Sequence, residues 1–247
     1  MDRAYERRYI ESTLGVLEGD GYLARGAGGN GVLLDVGANI GMICIALLEQ
    51  RHFARAVAVE PSPRNLRLLE HNVEQNGLRD SVIVVPCALS SENGEMELEL
   101  SEYNSGDNRL RHDASSGAWR EDEREVVRVP VRTLDGVLAE RGVAANDVRL
   151  VWVDIQGHEG RFFRGARATL AGGAPVVSEF WPYGILRSGM TRAEYGATVS
   201  EIFTHFYHMS ADGAEKLPIR AIDALFDRYG TPKQMCEVIY VNDRLRG

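Results

Sequence analysis

Short apolar runs alternate along this chain with segments whose apolar residues recur every three or four positions. The runs read as strands buried on both faces, and the periodic segments read as helices that cover them. Residues 31–36 form the first run, and Ile40, Ile43, Cys44, Leu47 and Leu48 then mark a helix face. Ala56 to Val59 is the next run. Ser62 suits a helix N-cap and Pro63 a first helical position. Leu66, Leu69 and Val73 continue that helix to a stop at Asn76-Gly77. Val82 to Val85 is a third strand. Met96, Leu98 and Leu100 alternate with Glu95, Glu97 and Glu99, as in a half-exposed strand, and Val127, Val129 and Val131 form a partner for it. Thr133 caps a short helix carrying Leu134, Val137 and Leu138. Leu150 to Val153 and Pro175 to Ser178 are further buried strands. Helices are predicted over 165–170, 192–206 and 219–229, and a terminal strand over 237–241.

Strands alternating with helices predict an α/β fold in three layers, a largely parallel sheet with helices on both faces. Residues 1–30 read as a helical lead-in that ends in the loop Arg25-Gly26-Ala27-Gly28-Gly29-Asn30-Gly31. Residues 31–247 read as one domain. Within it the polar stretch 101–125 is too long for a hairpin turn and reads as an insertion able to act as a lid. A formal net charge of -8 disfavours a nucleic-acid partner. The three cysteines, Cys44, Cys87 and Cys236, show no pairing pattern and point to a reducing, cytoplasmic setting. The charged start of the chain does not read as a secretory signal. No apolar run approaches the ~20 residues of a membrane span.

The chemistry concentrates at strand ends. Four predicted strands end in Asp35, Glu60, Asp154 and Glu179. In an open parallel sheet these ends border one crevice. The first acid precedes the glycine loop Gly37-Ala38-Asn39-Ile40-Gly41. A carboxylate there would repel a dinucleotide's pyrophosphate, and no G-x-G-x-x-G is present, so a nicotinamide dehydrogenase is disfavoured. S-adenosylmethionine, with an ammonium, a sulfonium and two ribose hydroxyls, suits a carboxylate-rich cleft. Asp35 is expected to serve its methionine end through water or the loop backbone. Gly37 would let the backbone approach the ligand, Asn39 would stabilise the loop, and Gly41 would let the next helix pack closely. Glu60 can accept hydrogen bonds from both ribose hydroxyls. Pro61 and Ser62 follow it, and Cys87 and Ala88 are placed beside the adenine, Cys87 as an apolar wall.

The segments Asp35-Val-Gly-Ala-Asn-Ile-Gly41, Val59-Glu-Pro-Ser-Pro63, Arg132-Thr-Leu-Asp135 and Val153-Asp-Ile-Gln-Gly-His-Glu159 resemble the FkbM-type family of S-adenosylmethionine-dependent methyltransferases, over about residues 31–185. The resemblance implies a class I methyltransferase (Rossmann-like) fold. Its sheet would be mostly parallel and seven-stranded, with an antiparallel edge and a β-hairpin-like insertion. It also implies methyl transfer, usually to oxygen, on a small-molecule, saccharide or polyketide-type acceptor, leaving S-adenosylhomocysteine. Where the family often has Glu, this chain has Gln156, which can bond a ligand but cannot act as a carboxylate base. Asp154 remains as a polar anchor.

On the acceptor side, His158 reads either as a general base or as a surface histidine. Glu179, Trp181 and Tyr183 read as an acceptor wall or as aromatics closing the core. Asn104, Ser105, Asn108, His112 and Trp119 could contact an acceptor from the insertion or face solvent. Asp154 and Glu179 could supply oxygen ligands to a divalent metal, but no compact ligand motif predicts one. N-methylation, or a cofactor-binding module without turnover, are the rival readings. The oligomeric state is not readable.

Overall fold

The computed structural model describes residues 3–24 and 29–245; Arg25 to Gly28 of the glycine-rich loop lie outside the described residues. The helix α1 (Arg3–Gly19) precedes the strand β1 (Val32–Val36), α2 (Met42–Glu49), β2 (Arg55–Val59), α3 (Pro63–Gln75) and β3 (Val82–Val85). A set of shorter strands follows: β4 (Ala88–Leu89), β5 (Gly94–Leu100), β6 (Arg109–Leu110) and β7 (Glu125–Arg132). The chain then forms α4 (Leu134–Glu140), β8 (Val148–Val153), α5 (Glu159–Gly165), α6 (Arg167–Leu170), β9 (Val176–Phe180), α7 (Pro182–Arg187) and α8 (Arg192–Ile202). It closes with β10 (His205–Ser210), β11 (Gly213–Pro218), α9 (Asp223–Arg228) and β12 (Cys236–Val241).

Eight strands make the main sheet, in the order β11-β10-β12-β9-β8-β1-β2-β3. The five strands from β9 to β3 run parallel, and β12, β10 and β11 add an antiparallel edge. Alternate residues of one strand enter different cores. Leu34 and Val36 pack with α4, α5, α8 and α9. Leu33 packs with α1, α2 and α3. This is the expected three-layer α/β arrangement. Through Ile10, Leu14 and Leu17, α1 joins the second core and is part of the same packed unit.

The sheet departs from the expected seven strands through β11, and β10 replaces the end of the helix predicted over 192–206. Val199, Ile202, Phe203 and Phe206 continue a helical spacing, which explains the overextension. The chain leaves the helix at Ile202 because Phe206 and Tyr207 are buried on opposite faces of the sheet, which needs a period of two. A second, four-stranded sheet has the order β4-β7-β5-β6. In it Met96 pairs with Val129 and Leu98 with Val127, as the alternating pattern predicts.

Candidate functional site

A cleft opens where β1, β2 and β8 end, roofed by the second sheet and the 101–125 segment. It is bordered by Gly37, Asn39, Glu60, Pro61, Asn65, Cys87, Ala88, Asp154 and His158. Ser105, Gly106, Asn108 and Arg109 border it from the insertion.

The loop after β1 is built for close backbone contact. Gly37 has φ 81°, and a Cβ there would lie 2.0 Å from the carbonyl oxygen of Asp154. The neighbouring strand end therefore demands glycine at this position. A Cβ on Gly41 would come within 2.8 Å of Leu69 and 2.9 Å of Ile45, so this glycine lets α2 pack against α3. Asp35 is buried and turned away from the cleft. Its Oδ2 accepts a hydrogen bond of 3.0 Å from the Cys44 backbone N–H. Burial raises its carboxyl to about 6. Asp35 thus fixes the start of α2 and is not among the residues that border the cleft.

Glu60 is 4% exposed at the end of β2. Its two carboxylate oxygens accept from the backbone N–H of Asn39 at 2.9 Å and of Ser62 at 2.8 Å. The Asn65 side-chain amide adds a longer contact of 3.5 Å. Burial pushes the carboxyl up to about 7 despite these donors. Asn39 adopts the left-handed conformation, φ 51°, that aims its N–H at Glu60. Ser62 occupies the N-cap position of α3 without a side-chain cap bond. Its backbone N–H serves Glu60 instead.

Cys87, Ala88, Leu89, Leu98 and Leu110 give one end of the cleft an apolar lining. The Cys87 thiol is buried and pushed up to about 11, which suits a wall and not a nucleophile. His158 also borders the cleft, 2% exposed, with Nε2 2.9 Å from Ser90 Oγ. Burial pushes its imidazole down to about 3. The surface reading of His158 is therefore replaced by a buried one. A neutral ring of such low basicity, with Nε2 already engaged, is also a poor proton acceptor, so the general-base reading weakens.

The loop after β8 explains its motif. Glu159 Oε1 accepts from the backbone N–H of Ile155 and of Gly157, both at 3.2 Å. Gly157 has φ 98°, and a Cβ there would lie 2.2 Å from the Gly184 carbonyl carbon. Gln156 takes φ 56° and donates from Nε2 to Asp154 Oδ1 at 2.8 Å and Glu179 Oε2 at 3.5 Å. Asp135 accepts from the Ala168 and Thr169 N–H groups at 2.9 and 2.8 Å and so caps α6.

Glu179 lies within β9, opposite Glu237 of β12. Burial, then Asp154 and Glu237, raise its carboxyl well above the usual range. Glu237 accepts 2.7 Å from the Tyr9 hydroxyl of α1, and burial pushes it up to about 7. Asp154, Gln156, Glu179 and Glu237 thus form a carboxyl-rich ledge beside the cleft.

The insertion is tied down over this region. Asn65 Nδ2 donates to the Ser105 carbonyl at 3.0 Å. Arg109 lies 4.8 Å over the Trp181 ring and pairs with Asp107. Glu121, 0% exposed, accepts 2.7 Å from the Tyr183 hydroxyl and lies 3.5 Å from Arg109 and 3.6 Å from Arg187. Trp181 and Tyr183 therefore anchor the insertion and do not line the cleft. Asn104 caps a turn by accepting from the Gly106 N–H at 3.0 Å. His112 packs on Gly189, outside the cleft. Trp119 is 38% exposed on the surface. Ser105 and Asn108 are the two acceptor candidates of the insertion that border the cleft. Sequence reasoning overlooked Asn65, although it stands in the first turn of α3 just after Glu60 and Ser62, and it overlooked Arg109, whose placement depends on pairing β6 with β5.

Among the described residues no group of three or more His, Cys, Asp or Glu is arranged to hold a metal ion. No helix among them is long and apolar enough to cross a membrane.

Comparison with known proteins agrees with this architecture. The methyltransferase FkbM domain matches residues 35–227. The 2-O-methyltransferase NoeI of Sinorhizobium fredii is 27% identical over 160 residues, covering 60% of this chain and 63% of that protein. The crystal structure of methyltransferase FkbM from Methylobacillus flagellatus superposes with a TM-score of 0.52 at 15% identity, covering 89% of this chain and 45% of that one. Both matches span less than two thirds of the relative's own length. With a class I methyltransferase fold and a domain match running from Asp35 through the whole cleft, this chain belongs to the FkbM methyltransferase family.

Proposed function

We propose that this chain transfers the methyl group of S-adenosylmethionine to a hydroxyl oxygen of a small-molecule acceptor, of saccharide or polyketide type. The observation that carries the reading is Glu60, a buried carboxylate held at the end of β2 beside an apolar slot. A nucleoside whose ribose reaches Glu60 can lay its base against Cys87, Leu89 and Leu98. Arg109 is the one cationic side chain on this border among the described residues, and Glu60 and Asp154 share it, a balance that disfavours a polyphosphate. The name of the relative NoeI, a 2-O-methyltransferase, supports oxygen as the acceptor atom.

The cofactor supplies an electrophilic methyl group when bound. The chain must hold the acceptor oxygen in line with it and exclude water. We assign the first task to the ledge of Asp154, Gln156 and Glu179, and the second to the tethered insertion. Glu179, beside Asp154 and Gln156 on the ledge, is our candidate to receive the hydroxyl proton, because the His158 Nε2 is already engaged by Ser90.

Calorimetric titration with S-adenosylhomocysteine and with NAD tests the cofactor. The adenosyl ligand should bind and NAD should not; tighter binding of NAD would end the proposal. Methyl transfer from labelled cofactor to a panel of hydroxylated saccharides tests the reaction. Glu179→Gln should lower that turnover by about 10²–10⁴ if it is the base, while S-adenosylhomocysteine affinity stays within about threefold.

A further inference from the structure

The proposed transfer leaves His158 without a task, yet the residue is built into the cleft. It borders the apolar end together with Cys87, Ala88, Leu89, Leu98 and Leu110. Those side chains offer a flat heterocycle van der Waals contact but little hydrogen bonding. The imidazole is the exception. Its Nε2 is engaged by Ser90 at 2.9 Å, whereas the equally buried Nδ1 has no partner. A buried nitrogen without a partner is costly, so the site is incomplete until a ligand supplies one.

The ring is also firmly seated. Ser90 follows β4, and its backbone N–H donates to the Arg132 carbonyl at 2.9 Å. Behind it, α5 packs so tightly that a Cβ on Gly165 would lie 1.9 Å from the Ser90 carbonyl oxygen. His158 opens the same helix as its N-cap residue. The imidazole is therefore held at a fixed place beside the apolar lining, the arrangement that gives a pocket selectivity.

Resting on the adenosyl cofactor proposed above, we infer that His158 is the adenine-reading residue: Nε2–H donates to Ser90, and Nδ1 accepts a hydrogen bond from the exocyclic amine of the base. A purine with a carbonyl at that position would set an acceptor against an acceptor. Burial keeps the imidazole neutral, so Nδ1 keeps its lone pair at physiological pH.

The test is calorimetric titration of the full chain with S-adenosylhomocysteine and with S-inosylhomocysteine, in which a carbonyl replaces the 6-amino group and N1 carries a proton. The wild type should prefer the adenosyl ligand by about tenfold or more, one decade being the scale of a single mismatched hydrogen bond. His158→Gln can still reach Ser90 but places nothing at Nδ1, and its affinities for the two ligands should fall within about threefold of each other. His158→Asn, whose amide falls near the Nδ1 position, should retain a preference. Nitrogen NMR of the wild type provides a check free of any folding defect: the Nδ1 resonance of His158 should move on binding S-adenosylhomocysteine as a hydrogen-bonded acceptor does. An unmoved resonance, or an undiminished preference in folded His158→Gln, overturns the assignment. If S-adenosylhomocysteine binds without discrimination, this inference alone falls. If it does not bind at all, the cofactor reading falls and this inference with it.

Discussion

Replacing Glu60 by Gln probes the residue on which the cofactor reading rests. A carboxylate has about four acceptor sites. In this protein three donors already address them, the N–H groups of Asn39 and Ser62 and the amide of Asn65. Roughly one site is left for a ribose hydroxyl, and the long Asn65 contact of 3.5 Å is the one most easily surrendered to a second. Hydrogen bonds to a charged partner contribute about 1.5–3 kcal/mol, so Glu60→Gln should weaken S-adenosylhomocysteine binding by roughly ten- to a hundredfold. The measurement is calorimetric titration at a pH well above the raised carboxyl value, with thermal unfolding of the free protein alongside.

The pH profile adds a second arm. Burial raises Glu60 to about 7, so the free folded protein holds a proton that an unfolded chain would have released. Its contribution to stability therefore falls as pH rises from the ordinary carboxylate range to about 7. Ribose hydroxyls donate to the ionised form, so affinity should rise as pH passes upward through about 7, and the Gln variant should lose that rise. Unchanged affinity in folded Glu60→Gln, or wild-type affinity that falls with rising pH, would refute the assignment.

Two further outcomes follow from buried acids elsewhere. Asp35→Ala strips the Cys44 N–H of its acceptor and should lower unfolding stability in denaturant by about 1–3 kcal/mol; an unchanged midpoint would show that water replaces the carboxylate. Glu121→Ala leaves Arg109 and Arg187 without their shared buried counter-charge and frees Tyr183. Limited trypsin digestion should then cut within 101–125 faster than in the wild type while the core resists, and equal rates would mean that Asp107 and Trp181 suffice to hold the insertion.

Much of the fold was legible because its strands are short, apolar and capped by chemistry at their ends. The strand of Val82–Val85 matches its expected bounds, and Thr133 caps α4 by accepting from the Gly136 N–H as expected. The β10–β11 hairpin was hidden because Phe206 fits the helical spacing that runs through Val199 and Phe203 and is also buried as a strand residue. Nothing local decides between those periods; the partner strand β12 does. The helix α7 was hidden for a similar reason. Trp181 and Tyr183 suggest an aromatic binding surface, but Trp181 is covered by Arg109 from a segment about seventy residues earlier.

The acids at the strand ends were easy to find in the sequence, but their uses were not. A carboxylate can serve a ligand or satisfy buried backbone donors, and the residue type is the same for both tasks. Asp135 and Glu159 bond mainly to backbone N–H groups of a helix start and a tight loop. Asp35 does the same for α2. These motif acids act on the scaffold, where left-handed residues such as Gln156 and tight glycines such as Gly157 leave donors that need an acceptor. Glu60 differs because it meets backbone donors and also borders open space. Asp154 differs because it borders the cleft with one oxygen held by Gln156. Open space beside a partly satisfied carboxylate is what separates a ligand-facing acid from a structural one. That property belongs to the packed neighbours: the insertion above Asn65, the second sheet beside Cys87 and the ledge shared with β9. Residue spacing can place an acid at the mouth of the crevice. Its chemistry is settled by the donors that the rest of the chain has already aimed at it.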